Sequence, residues 1–179
     1  MAGGTSRMRV GCIAMCAALL CLPVAAAAQT AMWKEYTYAS DGFAVSFPTL
    51  PLVQKKNIPT DASSIELHEY VEQINGVSLI VTVSDYGTAL AGKDADTQLQ
   101  GAKNAALKNA GAQLKSEKKF MFDVNPGLEY EAESSAAHFT VRIYLVSSTL
   151  YQTLVAAPVG KPYAGTTQFL DSFKLIPKP

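Results

Sequence analysis

The chain has 179 residues, 49% of them hydrophobic and 17% charged, with 15 basic side chains balancing 15 acidic ones. That balance excludes a nucleic-acid surface, which needs a dense basic field. All three cysteines, Cys12, Cys16 and Cys21, fall within the first 28 residues.

Those 28 residues read as a cleaved secretory signal. Arg7 and Arg9 form a positive start, Val10 to Val24 is uncharged and apolar, and Ala26-Ala27-Ala28 offers the small side chains a signal peptidase needs, with Ala28 and Gln29 flanking the cut. A membrane anchor would want roughly 20 apolar residues with basic flanking residues on its far side, and this stretch is shorter. Leu20 before Cys21 argues against a lipid-modified cysteine, and Met8 between the arginines argues against a twin-arginine route. Cleavage leaves 151 residues, 29–179, the size of one domain. It removes two of the 15 basic residues and no acid, so 13 face 15 and the net charge becomes −2. The expected product is exported, periplasmic or secreted, without thiols, disulfides or a membrane span.

Along the rest of the chain the dominant hydrophobic period is two. Trp33 to Tyr38 and Phe43 to Phe47 form a strand pair joined through Ser40-Asp41-Gly42, and Pro48 ends the second. Lys55-Lys56, like Lys115 with Lys118-Lys119, suits a solvated strand edge, where lysines discourage edge-to-edge pairing. Ser63 to Ile74 and Val77 to Tyr86 form a hairpin at Asn75-Gly76. A two-residue turn would place His68 opposite Val83 and Tyr70 opposite Val81. A three-residue loop with a bulge matches Val71 to Leu79 and Leu67 to Val83. Matching apolar to apolar favours the second register, which turns His68 and Tyr70 away from the main core.

Asp94 to Gly111 is the long helix. Thr97 with Gln100 resembles a capping box, Leu99, Ala102, Ala106, Leu107 and Ala110 keep the 3.6-residue period, and Gly111 ends it. Its alanine-rich stripe should pack flat on a sheet and form no groove. Strands resume over Gln113 to Val124, turn at Asn125-Pro126-Gly127, and continue through Leu128 to Ser134. The next strand puts Phe139, Val141, Ile143 and Leu145 on one face and His138, Thr140, Arg142 and Tyr144 on the other. Ser147-Ser148-Thr149 turns into a strand from Leu150 to Ala157. Tyr163 to Phe173 reads as a short helix and Lys174 to Ile176 as an edge strand. The order predicts an α+β fold, an antiparallel β-sheet with one long and one short helix packed on it.

Four stretches carry a family resemblance: Gly42 to Pro48, Asn125 to Tyr130, Arg142 to Val146 with Leu150-Tyr151, and Phe169 to Phe173. They resemble exported bacterial proteins of unknown function with the PsbP-like α/β/α sandwich, the fold of the extrinsic photosystem II protein PsbP. The resemblance implies that fold and, from the habits of the family, an accessory or binding role. No metal-binding or partner-binding position of PsbP matches residue by residue, so none is carried over.

The catalytic inventory is thin. There is no Gly-x-Ser-x-Gly turn to serve His68 or His138 as base, no metal-ligand spacing, and no phosphate-cradling loop among Gly87, Gly92 and Gly101. Glu129, Glu131 and Glu133 alternate along one strand as a solvated outer face would, a spacing that could also hold a cation or serve a glycosidase-like pair. The sequence therefore assigns no catalytic residue, no cofactor and no metal. Arg142, the single arginine of the cleaved chain, has a planar donor fork suited to a carboxylate or phosphate. With His138, Thr140 and Tyr144 it forms the candidate ligand or partner contact; the alternative is that it pairs internally with Glu129 or Glu131 beneath a helix. The expected function is a non-enzymatic accessory module binding an envelope or periplasmic protein. A small-molecule or ion-binding protein using the Arg142 face is the second reading, and a hydrolase with an unrecognised site the third.

Overall fold

The computed structural model describes residues 32–59, 64–90 and 92–179. The signal segment, with Ala28 and Gln29, lies outside them. Alternating residues build ten strands, β1 (Lys34–Tyr38), β2 (Phe43–Phe47), β3 (Leu52–Pro59), β4 (Ser64–Ile74), β5 (Val77–Asp85), β6 (Gln113–Phe122), β7 (Asn125–Glu133), β8 (Ala137–Val146), β9 (Thr149–Pro158) and β10 (Lys174–Leu175). Among the described residues two α-helices complete the fold, α1 (Ala95–Ala110) between β5 and β6, and α2 (Thr166–Asp171) between β9 and β10. A three-stranded sheet runs β1-β2-β10 and a seven-stranded sheet runs β3-β4-β5-β9-β8-β7-β6, every pairing antiparallel. No helix among the described residues is long and apolar enough to cross a membrane.

Period-two patterning gives the large sheet two apolar faces, and each has its own core. Phe43, Val45 and Phe47 of β2 and Phe169, Leu170 and Phe173 from α2 and its C-terminal end pack on Tyr70, Leu79, Val81, Tyr144, Tyr151 and Val155. On the opposite face α1 lies over β7 and β8, setting Leu99 among Leu128, Tyr130, Val141 and Ile143. The alanine stripe lies on the sheet with a gap of about 40 Å³ beneath Ala106, Leu107 and Ala110, but a pocket of about 200 Å³ opens beside Gly101, Ala102 and Ala105, where no groove was expected. Both lysine clusters fall on the outermost strands, Lys55 and Lys56 on β3 and Lys115, Lys118 and Lys119 on β6.

Several local expectations are corrected. The Asn75-Gly76 turn has two residues, with φ of 50° and 80°, so β4 and β5 pair His68 with Val83 and Tyr70 with Val81. Matching apolar to apolar misjudged Tyr70, whose ring is buried while its hydroxyl reaches a carboxylate. His68 and Tyr70 thus face the first core instead of turning away from it. The β6–β7 turn is Asp123-Val124, with Asp123 at φ 54°, and Asn125 to Gly127 already belong to β7. Gly127 serves close approach: a Cβ there would sit 2.6 Å from the Phe120 ring. Helix α1 is capped by Asp94, which accepts from the Thr97 backbone at 2.8 Å and from its hydroxyl at 2.7 Å, so Thr97 is the capped residue and not the cap. The second helix covers only Thr166–Asp171, β9 begins at Thr149, and β3, unread in the sequence beyond its lysines, is a full strand.

Candidate functional site

The tight turn between β1 and β2 tucks Asp41 beneath β4; Gly42 makes this possible by taking a left-handed φ of 75°. Asp41 is only 6% exposed. Its Oδ2 accepts from the Tyr70 hydroxyl and lies 2.6 Å from His68 Nδ1, and its backbone carbonyl accepts from the Tyr151 hydroxyl at 2.8 Å. His68 Nε2 lies 2.6 Å from Glu66 Oε1. Spacing by two along β4 puts Glu66, His68 and Tyr70 on one face, so one strand supplies three members of a Tyr–Asp–His–Glu chain.

Burial of the His68 ring works against its charge, but the hydrogen bonds to Asp41 and Glu66 outweigh that and raise its pKa above the ordinary 6.5. The same bond to His68, then Lys55, lowers the Glu66 pKa. Burial, followed by the bond to Asp41, pushes the Tyr70 pKa far up, so the phenol stays the donor. A cavity of about 150 Å³ adjoins the chain, lined by Ser40, Asp41, Glu66, His68, Val83, Asp85 and Lys178. A second of about 330 Å³ shares Asp85 and Lys178 with it. Among the described residues the partners of the His68 ring are two carboxylates, one on each nitrogen, an arrangement that clamps the ring.

The Arg142 face is divided between pairing and packing. Arg142 Nε donates to Glu129 Oε2 at 2.6 Å across the β7–β8 pair, and its Nη1 donates to Asp171 Oδ1 at 2.7 Å on α2. Burial opposes its charge, yet these two bonds raise its pKa further. Tyr144 is core, its ring stacked on Phe173 at 4.8 Å and edge-on to Phe120 at 5.6 Å. Thr140 is half-buried opposite Glu131 and Val155. His138 is half-buried, with Nδ1 3.8 Å from Glu133. The four share one face of β8, divided between ion pairing at Arg142 and core packing at Tyr144. Glu133 also pairs with Lys115 at 3.2 Å. Among the described residues no group of three or more His, Cys, Asp or Glu side chains is placed to hold a metal ion.

With its donors shared between β7 and α2, Arg142 reads as a tie holding α2 to the large sheet. Arg142→Ala is expected to cost about 1–3 kcal/mol in a urea titration, because two carboxylates lose a charged donor. Unchanged stability would return the guanidinium to the list of ligand contacts.

The outer edge of β3, by contrast, is uncommitted among the described residues. Among the described residues nothing pairs with it beyond β4, so every other residue directs its backbone N–H and C=O outward. Leu50 and Leu52 are 73% and 62% exposed, and Val53 and Ile58 are 46% and 43% exposed. Lys55 and Lys56 stand between them, paired with Glu66 and Glu69 of β4.

No family model matches the chain, and no curated protein matches it. Among solved structures the chain is similar to cyanobacterial PsbP (CyanoP) from Synechocystis sp. PCC 6803, with a TM-score of 0.55 and 12% sequence identity over 83% of this chain and 95% of that one. The fold is therefore PsbP-like, an α+β arrangement of antiparallel sheets with two helices. At that identity the likeness is one of fold alone.

Proposed function

We propose that this PsbP-like protein is exported and acts in the periplasm or at the cell envelope as a non-enzymatic accessory module that grips a partner protein along β3. The carrying observation is the free β3 edge, which joins an open row of backbone hydrogen-bonding groups to exposed Leu50, Leu52, Val53 and Ile58. Such an edge accepts an extended segment by β-augmentation, the backbone supplying affinity and the side chains selectivity. The lysines narrow the choice. Pairing of two β3 strands about their middle would set Lys55 against Lys56 of the other copy, and like charges directly opposite destabilise a ladder. A segment with acidic residues opposite the lysines and apolar ones at its ends meets no such penalty. The apolar run with its Ala26-Ala27-Ala28 site supports export. Engagement of the Arg142 donors by Glu129 and Asp171 counts against the small-molecule reading at that face.

Photo-crosslinkers placed at Leu52 and at Ile58 should trap the same discrete protein in an envelope fraction, while one at exposed Asn109 on α1 should not. Trapping from Asn109 alone, or from none of the three, would end the reading.

A further inference from the structure

His68 sits where the two sheets meet. Its ring is carried by β4, Asp41 comes from the β1–β2 turn of the small sheet, and the segment after β10 brings Lys178 beside both. Each ring nitrogen has a carboxylate oxygen at 2.6 Å, Asp41 Oδ2 on Nδ1 and Glu66 Oε1 on Nε2. A neutral imidazole carries one N–H, so both contacts are hydrogen bonds only when the ring holds two protons.

The two carboxylates are not equivalent. Asp41 is buried and also accepts from Tyr70, so it is held in place. Glu66 is exposed, and its Oε1 already has a second cation in reach, Lys55 Nζ at 3.3 Å. When the ring gives up one proton, the tautomer that keeps Nδ1–H on the buried carboxylate avoids stranding Asp41, and the bare Nε2 then faces a Glu66 oxygen, lone pair against lone pair.

We propose that His68 is a proton-operated latch: its imidazolium ties Glu66 of β4 to Asp41 of the β1–β2 turn, and loss of the Nε2 proton lets Glu66 swing to Lys55, widening the adjoining cavity as pH rises. The groups around the ring divide by sign. Asp41 from the turn, Glu66 from β4 and Asp85 from β5 favour the proton; Lys55 from β3 and Lys178 from the C-terminal segment oppose it. Tyr38 of β1 and Tyr151 of β9, pushed up to about 12 mainly by burial, and Tyr70 of β4, pushed up further, stay neutral throughout. The latch shares Lys55 with the β3 edge, so its test is made on the protein alone, where the outcome does not depend on a partner.

Nitrogen-resolved NMR of the histidine rings tests it. The latch predicts a His68 midpoint above 6.5, loss of the proton from Nε2 with Nδ1 still protonated at high pH, and a Glu66 side-chain carboxyl signal that moves with the same midpoint. Glu66→Gln, a change at an exposed position, should lower the midpoint without unfolding the protein, and His68→Gln should abolish the step at Glu66. A midpoint at or below 6.5, deprotonation at Nδ1, or a Glu66 signal with no step at the His68 midpoint would overturn it.

Discussion

Replacing Phe173 with alanine is expected to lower stability by about 3–5 kcal/mol, the range for removing a buried aromatic ring. Phe173 follows α2 and precedes β10, so its ring pins the C-terminal part of the chain to both sheets. It stacks on Phe43 of β2 at 5.7 Å and on Tyr144 of β8 at 4.8 Å, and lies within 6 Å of Phe122 of β6 and Tyr151 of β9. Phe173 is 2% exposed, and Phe43, Tyr144 and Tyr151 are buried with it, while Phe122 is half-buried. Alanine would remove an aromatic ring from the centre of four others, and rings held by different strands cannot close together over the void without moving backbone. Urea unfolding followed by circular dichroism gives the number; a loss under about 1 kcal/mol would mean that the cluster repacks and that the small sheet is not anchored there.

The second large effect is expected at Asp41. Asp41→Ala removes the one acceptor shared by Tyr70 and His68, leaving a buried hydroxyl without a partner and the His68 ring with Glu66 alone, and should cost about 3–5 kcal/mol. The pH dependence carries a definite sign. The His68 pKa is raised in the folded protein, so its contribution is fully present below the unfolded value near 6.5 and is lost as pH rises through the folded value. Unfolding titrations of the protein and of His68→Gln should therefore differ most in mildly acidic buffer and converge in mildly alkaline buffer. A gap that widens with pH would mean that the ring is held neutral, contrary to the hydrogen bonds on both nitrogens.

What could be read from the sequence follows the range of the interactions involved. Strict alternation over Phe139 to Leu145 and the Gly111 helix stop depend on near neighbours, and they located β8 and the end of α1. The lysines at 55–56 and 115–119 marked both sheet edges for a similarly local reason, since an edge is managed by its own side chains. The Asn75-Gly76 register failed because hydropathy treats tyrosine and histidine as polar, while a carboxylate 27 residues before His68 rewards burying both. That carboxylate, Asp41, looked like an ordinary turn residue ahead of Gly42; only the folding of the small sheet onto the large one turns it inward. The spacing of Glu66, His68 and Tyr70 by two was the one available hint, and it points to a shared face without naming a partner. Arg142 shows the opposite case. Its pairing with Glu129 followed from strand adjacency, but Asp171 came from a helix 29 residues on.

The proposed addition of a partner strand to β3 is read out by backbone hydrogen exchange. With the protein trapped at Leu52 and Ile58 present, alternate amides between Leu52 and Ile58 should become protected, while those of β6, the opposite edge, should not change. Unaltered exchange along β3, with protection appearing at β6 or around the Asp41–His68 cavity, would contradict the account.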